Sequence, residues 1–346
     1  MADTLDELRL DYRLLLDRSI AIYGASGTGK SAIIVDMLWH LNRHADQILV
    51  FCPTDPSNKT YSCGVVPAPL IHYEFDIELL ERIWARQEMM AAVYARANSP
   101  EILESLYSKL GLTSVNSMIQ RVRESKRDHI EEIKDTYFEK NAQKAKINKI
   151  EEKYKELLAL IYKKFIGDNV HRLSGVQLSS EEQFALKYLN FNPRLVLIFD
   201  DCASDIKKYE KKEVVRKLFY QARHVKITLI IACQDDTDIA SSLRKNAFIS
   251  VFTSDICANA FFGRKSNDFP RELAKRVDAV SMQLRWKPPD FEKLVYLRQE
   301  NKLYKFVAEL HDNFCFGSSP LRNFCSNIER NGTNMDKNNP FYGEFC

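Results

Sequence analysis

A phosphate-binding loop near the start of the chain constrains its fold more than any other feature. Residues 24–31 read GASGTGKS, a complete G-x-x-x-x-G-K-[ST] motif. In such a loop the glycines let backbone N–H groups cradle phosphate oxygens, the lysine reaches the β- and γ-phosphates, and the serine hydroxyl binds Mg²⁺. We therefore expect a nucleoside triphosphate and Mg²⁺ to bind here, with Lys30 also acting in catalysis and Ser31 as a metal ligand. The loop comprises Gly24, Ala25, Ser26, Gly27, Thr28, Gly29, Lys30 and Ser31.

The residues on either side of the loop have the periodicities that a nucleotide site needs. Residues 19–23, SIAIY, predict a buried strand, and residues 31–41 carry apolar side chains at helical spacing. A strand, a loop and a helix in this order place a triphosphate at a helix N-terminus, where the helix dipole favours an anion. The surroundings therefore favour a real site over a chance match to eight letters.

The length and charge of the chain set limits on its organisation and partners. With 346 residues it is either one large domain with an insertion or two domains. Its 50 basic residues against 47 acidic ones give a net charge of only +3. A surface for nucleic acid must therefore be a local patch.

The cysteines and the apolar runs indicate the compartment. Eight cysteines are scattered along the chain without a C-x-x-C pair or the spacing of a metal site. The first residues are rich in charges, unlike a secretion signal, and no apolar run in the sequence approaches membrane-spanning length. We therefore expect reduced thiols in a cytoplasmic protein that is not secreted and has no transmembrane segment.

Changes in residue pattern along the chain predict four segments. At the start, Thr4 is a cap candidate, Glu7 follows three residues later, and leucines recur at helical spacing. Strand-like runs vanish in the middle of the chain, and its end is rich in Asn, Gly and Ser. The predicted segments are an N-terminal helix (1–17), a P-loop ATPase core (18–75 and 191–310), a helical insertion (76–190) and a disordered tail (311–346).

The insertion predicts long helices that pack as in a coiled coil. A 3-4 spacing of apolar residues over two heptads predicts a long helix or a helical hairpin. The apolar residues are Ile147, Ile150, Tyr154, Leu157 and Ile161. Lysines between residues 144 and 155 could touch DNA phosphates, but such a run is more often a solvated helix face.

The remaining runs predict an α/β fold with a central, mostly parallel sheet flanked by helices. Continuous apolar runs suit strands that are buried on both faces, and a helix at about residues 207–224 completes a parallel crossover. The runs occupy residues 47–53, 194–201, 226–233 and 247–252. Residues 293–299 and 302–310 predict an antiparallel hairpin at the sheet edge.

Two aspartates end the strand LVLIFDD at residues 195–201. A buried strand of this kind delivers carboxylates to the phosphate loop, so Asp200 is predicted to hold Mg²⁺ through its water shell. A second carboxylate directly after it can polarise the attacking water, so Asp201 is predicted to be catalytic in hydrolysis. The alternative is that Asp201 caps the following turn or helix.

Gln234 ends the strand at residues 226–233 and is predicted to sense the γ-phosphate and position the attacking water. The alternative is an ordinary polar residue, because the carboxyl edge of any open α/β sheet is polar.

Arg223 and Arg244 are candidates for an arginine finger that acts on a neighbouring subunit's nucleotide. For each of them alone, a helix C-terminal charge or a surface salt bridge is the simpler explanation. His40 and His44 form an i, i+4 pair that could hold a metal, but without a third ligand we favour a structural role.

Together these motifs resemble the FtsK–HerA superfamily of P-loop ATPases, above all the genome-packaging ATPases of large and medium double-stranded DNA viruses of the poxvirus and giant-virus type. The resemblance covers about residues 15–300 without the insertion, which departs from the compact poxvirus pattern. The motifs that carry it are residues 24–31, QILVFCP at 47–53, LVLIFDD at 195–201 and FYQARHVKITLIIACQ at 219–234.

The resemblance implies a RecA-like (ASCE) sheet in which the strand ending at Gln234 lies between those carrying Lys30 and Asp200. It also implies a homo-oligomeric ring and an ATP-hydrolysing motor that drives double-stranded DNA into a capsid, with Arg223 as the finger. Capsid or membrane-associated viral proteins are the further partners it suggests. The location it implies is the host cytoplasm, the viral factory or the virion.

Other functions stay open at this point. A cellular or plasmid DNA pump or helicase of the same superfamily would use the same site, and a nucleotide-gated assembly or scaffolding protein would bind ATP without motor activity. A guanine-nucleotide switch is disfavoured because no N-K-x-D motif follows the core strands. A small-molecule kinase is disfavoured because the heptads of the insertion favour packing over an arginine-rich lid.

Overall fold

The computed structural model describes residues 5–111, 116–136 and 139–330. It divides into two compact units, one of Met1–Ala91 with Asn192–Cys346 and one of Ala92–Phe191. The strands of the described residues are β1 (Asp6–Glu7), β2 (Ser19–Tyr23), β3 (Gln47–Phe51), β4 (Ile71–His72), β5 (Leu195–Asp200), β6 (Ile227–Cys233), β7 (Ile249–Phe252), β8 (Lys293–Leu297) and β9 (Lys302–Phe306).

The α-helices of the described residues flank the sheet in the first unit and build the second unit. They are α1 (Tyr12–Leu15), α2 (Lys30–Leu41), α3 (Asp55–Asn58), α4 (Ile77–Ala97), α5 (Pro100–Lys109), α6 (Asn116–Thr136), α7 (Lys140–Asn169), α8 (Ser180–Lys187), α9 (Ala203–Lys208), α10 (Glu213–Gln221), α11 (Ser241–Arg244), α12 (Asp255–Gly263), α13 (Arg271–Ser281) and α14 (Ser319–Arg330).

The strands form one mixed sheet in the order β1-β9-β8-β7-β2-β6-β5-β3-β4. Its pairs are parallel except β7 with β8 and β8 with β9. The strand that leads to Gln234, β6, lies between β2 and β5, which confirms the order that the resemblance implied. This is the RecA-like strand order of a P-loop ATPase, and the predicted fold class is confirmed.

The central strands form because nearly all their side chains are apolar and both faces are covered. Every residue of β5 and of β6 is buried, as expected for parallel strands between two layers of helices. Since β2, β6 and β5 run in the same direction, their carboxyl ends meet at one edge of the sheet. That edge carries the residues of the predicted site.

Within the described residues 5–17, the predicted N-terminal helix is wrong except at α1, and residues 1–4 of the prediction lie outside the described residues. Asp6–Glu7 pairs in parallel with β9, and Leu8 N–H donates to the Lys305 carbonyl at 2.7 Å. The physical reason is that the outer edge of β9 offers unpaired backbone groups, and a short strand satisfies them. The predicted hairpin of β8 and β9 is present, but β1 covers it, so the hairpin is not the edge of the sheet.

The predicted disordered tail is also wrong up to residue 330. Phe316 is fully buried and Cys325 is 1% exposed in the main core. The His311 ring lies 2.8 Å from Asp36 on α2. The few apolar side chains of this segment pack in the main core, although the mostly polar composition of the segment suggested disorder. The remainder of the predicted tail, residues 331–346, lies outside the described residues.

The insertion forms helices, as predicted, and has its own apolar core. The buried residues of this core include Leu103, Leu106, Tyr162, Ile166 and Ala185. Helices α6 and α7 pack on each other, and the hydroxyls of Ser125 and Tyr154 lie 2.7 Å apart between them. The predicted heptad seam is interrupted, because Leu157 is 41% exposed. Over the described ranges, we find no helix with the length and apolarity that a membrane crossing requires.

Candidate nucleotide site

The phosphate loop connects β2 to α2 in the arrangement that the sequence predicts. Gly27 and Gly29 have positive φ angles of 76° and 91°, which glycine adopts without strain. Gly29 is the N-cap of α2, a helix of 12 residues. The loop therefore ends at a helix N-terminus, where backbone N–H groups and the helix dipole favour an anion.

Gly24 lies where a side chain does not fit. A Cβ built on it would lie 1.6 Å from Oγ1 of Thr253, the residue after β7. The Thr253 hydroxyl also lies 2.7 Å from the Thr28 hydroxyl. The backbone N–H of Thr253 donates to the Tyr23 carbonyl at 3.0 Å. The loop is thus held against the end of β7, and glycine at position 24 permits this close approach.

The Lys30 ammonium lies inside the loop. It donates to the carbonyl oxygens of Gly24 at 2.7 Å and Ala25 at 3.2 Å, and the residue is 8% exposed. The N-cap residue of α2 is Gly29, which has no side chain to bond the first N–H groups of the helix. The first N–H groups of the helix and the lysine therefore form a cradle that fits phosphate oxygens.

Asp200 is a buried carboxylate at the end of β5. It is 3% exposed, and the Tyr61 hydroxyl donates to its Oδ2 at 2.9 Å. Burial above all, together with the nearby charge of Asp201, raises the pKa of Asp200 to about 6, although the bond from Tyr61 and the charge of Lys30 oppose the rise. A carboxylate with this desolvation cost is stabilised by a cation, so its environment suits a metal ligand.

The Asp201 carboxylate contacts the segment that follows the neighbouring strand β3. Its φ is +57°, and the Thr54 hydroxyl after β3 donates to its Oδ2 at 2.9 Å. The residue at the N-cap of α9 is Cys202, so the alternative that Asp201 caps that helix is wrong. The half-buried Asp201 carboxylate is instead held at the carboxyl edge of the sheet, beside Asp200.

Gln234 lies at the same edge, directly after β6, and is exposed. Its backbone N–H donates to Oδ2 of Asp238 at 3.2 Å. Asp235 and Asp238 form a capping box that fixes the turn after the strand. The structure therefore brings the phosphate loop, both aspartates and Gln234 to one edge of the sheet.

The structure does not bring Arg223 to this edge. Arg223 is exposed in the turn before β6 and lines a cleft with Arg18 and Arg298. The loop follows the paired ends Tyr23 and Cys233, so the length of β6, about 20 Å at 3.3 Å per residue, separates Arg223 from it. Arg223 therefore cannot reach the loop of the same chain.

The other sequence candidates have structural roles. Arg244 is 4% exposed and forms an ion pair with Asp236 at 3.4 Å, so it is not a free finger. His40 lies 3.6 Å from Asp36, and the His44 ring stacks on Tyr12 with centroids 3.6 Å apart. These positions agree with the structural role that we favoured for both histidines.

The residues at the site fit a Mg²⁺ ion that is bound by protein oxygens and by phosphate oxygens together. Within residues 5–111, 116–136 and 139–330, no cluster of three or more His, Cys, Asp or Glu side chains could hold a metal by itself. Mg²⁺ commonly takes only one or two protein oxygens and completes its shell with phosphates and water. A serine hydroxyl in the first turn of α2 and the buried Asp200 supply oxygens of this kind.

Sequence reasoning missed three residues of the site. Tyr61 and Thr54 stand in the connection after β3, where the sequence shows neither a motif nor a periodicity. Thr253 could have been found, because it is a polar residue directly after a predicted strand, like Gln234. The partners of the aspartates therefore come from a segment that the motif pattern does not mark.

Comparison with known proteins places the chain among viral proteins. No protein-family model matches it. The protein B354L of African swine fever virus is 35% identical over 355 residues, which covers 98% of this chain and 96% of B354L. The protein L437 of Acanthamoeba polyphaga mimivirus is 21% identical over 265 residues, which covers 76% of this chain and 62% of L437.

Among solved structures, the chain is similar to the genome packaging NTPase B204 from Sulfolobus turreted icosahedral virus 2 in complex with AMP. That alignment covers 85% of this chain and 98% of B204, with 11% identity and a TM-score of 0.39. The predicted resemblance to viral genome-packaging ATPases is confirmed as a resemblance, and at this score it decides neither fold nor function. The fold follows from the strand order of the chain's own sheet. Because the identity to B354L extends over nearly the full length of both proteins, the chain belongs to the family of the African swine fever virus protein B354L.

Proposed function

We propose that this chain is an ATP-hydrolysing motor subunit that moves double-stranded DNA and packages a viral genome into a capsid. The observation that carries the ATPase part is the meeting of three features at one sheet edge: the phosphate loop with Lys30, the buried Asp200, and Asp201 held by Thr54. A binding protein needs only the first, whereas the second carboxylate suits the polarisation of an attacking water.

Each residue at this edge has a distinct proposed role. Residues 24–31 hold the phosphates of ATP, and Lys30 stabilises the charge that develops on the β- and γ-phosphates. Ser31 and Asp200 hold Mg²⁺, which neutralises phosphate charge when bound. Asp201 accepts a hydrogen bond from the water and orients it for attack, and Gln234 positions that water from the neighbouring strand.

Arg223 can act only in a neighbouring subunit. It lies at the amino edge of the sheet, so a role as arginine finger needs a ring in which this edge faces the next subunit's loop. Mixing subunits that carry Arg223→Ala with subunits that carry Asp201→Asn tests this role. If the finger acts in trans, each variant is inactive alone and the mixture regains activity, because an Arg223→Ala subunit with intact Asp201 then receives Arg223 from an Asp201→Asn neighbour. No activity in the mixture would contradict this role.

The packaging part of the proposal is supported by the motif set of the FtsK–HerA resemblance and by the viral origin of the relatives. A cellular or plasmid pump of the same superfamily would share the chemistry but not these relatives. The host cytoplasm or viral factory is the location that this role requires, and double-stranded DNA and capsid proteins are its partners.

An ATPase assay with and without double-stranded DNA tests the proposal. We expect DNA to stimulate the wild type and Asp201→Asn to bind ATP but lose at least about 100-fold in kcat, because it loses the group that orients the water. Asp205→Asn in α9 is the matched control and keeps its activity. A nucleotide-gated scaffold would instead bind ATP equally well in both variants without DNA-stimulated hydrolysis. Absence of hydrolysis in the assembled oligomer with DNA would overturn the motor.

A further inference from the structure

A second lysine reaches the phosphate loop from the hairpin at the other side of the sheet. Lys293 is the first residue of β8, which runs antiparallel to β7. Leu294 pairs with Phe252, so Lys293 lies level with Thr253, whose hydroxyl contacts Thr28 of the loop. Because β8 is antiparallel, its amino end lies at the same edge as the carboxyl ends of the parallel strands.

The Lys293 side chain is buried against Gly29. The residue is 2% exposed, and its Cε and Nζ lie 3.8 and 3.9 Å from the position that a Cβ on Gly29 would occupy. Gly29 is the N-cap of α2, so the ammonium lies beside the anion-favouring end of that helix.

The Lys293 ammonium has no hydrogen-bond partner among the residues that the structure describes. The ammonium instead lies over the Phe291 ring, 5.1 Å from its centroid. The adjacent carboxylate of Glu292 is already bound to the Arg285 N–H at 2.7 Å and lies 3.3 Å from the Lys305 ammonium. Burial lowers the pKa of Lys293 to about 8.

A buried ammonium without a hydrogen-bond acceptor costs folding free energy, and this cost is recovered when an anion binds to it. The loop beside it is built for phosphate. We propose that Lys293 is a second cation of the phosphate loop, which binds the α- or β-phosphate of the nucleotide. This inference rests on the proposed nucleotide-binding function.

The order of the sheet indicates which phosphates Lys293 contacts. Asp201 and Gln234 follow β5 and β6, on one side of β2, whereas Lys293 comes from β8, on the other side. Hydrolysis takes place at the γ-phosphate, beside the first group. Lys293 therefore contacts phosphates that ATP and ADP share, and it contributes equally to the binding of both. Such uniform binding lowers KM without raising kcat.

The test compares Lys293→Met, which keeps the length of the side chain without its charge, with the control Lys302→Met. Lys302 is an exposed lysine at the other end of the same hairpin. Calorimetry with ADP and with the analogue AMP-PCP gives the affinities, and thermal unfolding without nucleotide gives the stability. We expect Lys293→Met to weaken both ligands alike, by roughly 10- to 100-fold, as for the loss of one charged hydrogen bond. Its unfolding temperature without nucleotide stays within about 2 °C of wild type or rises, because a buried unpaired charge is removed.

Each other outcome overturns the inference. Unchanged affinities in Lys293→Met mean that the lysine does not touch the nucleotide, and an equal loss in Lys302→Met means that only the net charge matters. An unfolded or strongly destabilised Lys293→Met means that the lysine is structural. If the wild type itself binds neither ADP nor AMP-PCP, the proposed nucleotide-binding function is wrong. If the wild type and Lys293→Met bind both ligands equally well, only the proposed role of Lys293 is wrong.

Discussion

The Tyr61 hydroxyl donates a hydrogen bond of 2.9 Å to Oδ2 of Asp200, and both side chains are buried. The two residues are 139 positions apart in the chain. This bond holds the proposed metal ligand in place before any cation arrives. It also relieves part of the cost of burying a carboxylate, because a donor to the charged form favours that form.

Tyr61→Phe is expected to lower the free energy of unfolding at pH 7.5 by about 1–3 kcal/mol, since it leaves a buried carboxylate without its donor. Chemical denaturation measures this loss. Tyr220→Phe is the control, because the exposed Tyr220 hydroxyl donates only to the Ser242 carbonyl at the other edge of the sheet. If both variants lose the same stability, the Tyr61 bond has no special role.

Thr54→Val is expected to lower kcat for ATP by about tenfold and to leave KM unchanged, because the Thr54 hydroxyl donates to Asp201 and on our proposal acts by orienting it. Steady-state kinetics at several ATP concentrations separate the two constants. Thr54→Ser keeps the hydroxyl and should restore kcat. A rise in KM with unchanged kcat would show that Thr54 acts in binding and not in positioning.

Gly24→Ala and Gly27→Ala separate crowding from backbone strain in the loop. An added Cβ at position 24 collides with Thr253, whereas one at position 27 meets no described atom within 4 Å. We expect Gly24→Ala to weaken ADP binding more than about 100-fold, because the loop must leave its place on β7. Gly27→Ala bears only the strain of its positive φ, about 1 kcal/mol. Calorimetry with ADP distinguishes the two, and equal losses would contradict this account.

Glu182 is expected to make the stability of the helical insertion depend on pH. Burial alone would raise its pKa, but the Lys109 ammonium, the Ser179 N–H and the Ser105 hydroxyl outweigh it and lower the pKa to about 2. Because this folded-state value lies below the ordinary value of 4.5, the stabilisation is complete above pH 4.5 and is lost as the pH falls towards 2. At neutral pH it is worth up to about 3 kcal/mol.

Denaturation of Glu182→Gln between pH 2 and 7 measures this contribution. The variant should be less stable at pH 7 and should show a flatter profile below pH 4.5 than the wild type. Glu181→Gln is the control, because Glu181 forms only an exposed pair with Arg96, and such a pair contributes less than about 1 kcal/mol. A parallel loss in both variants at every pH would contradict the assignment to Glu182.

The local parts of the site and the fold class could be predicted because their signals are local. The loop at residues 24–31 is a contiguous motif, and β2, β3, β5 and β6 are short, mostly apolar runs, which favour buried strands. The direction and adjacency of these strands then bring Asp200, Asp201 and Gln234 to the loop.

Predictions from local pattern failed where a distant partner changed the outcome. Leucines at helical spacing near residue 10 indicated a helix, but Asp6–Glu7 pairs as a strand with the otherwise open edge of β9. A polar composition after residue 310 indicated disorder, but Phe316 and Cys325 found places in the core. In both cases the deciding contact joins segments that are hundreds of residues apart, and residue spacing within one segment does not predict such a contact.

The amino-acid sequence by itself therefore determined that the chain has a phosphate loop, where it lies and which carboxylates follow the core strands. Only the tertiary structure decided what surrounds them: Tyr61 on Asp200, Thr54 on Asp201 and Lys293 beside Gly29. The physical reason is that spacing along a chain reports neighbours within one helix or strand, whereas these partners meet through the order and direction of strands in the sheet. An antiparallel β8 brings Lys293 to the nucleotide edge, and a parallel one would have placed it at the opposite edge.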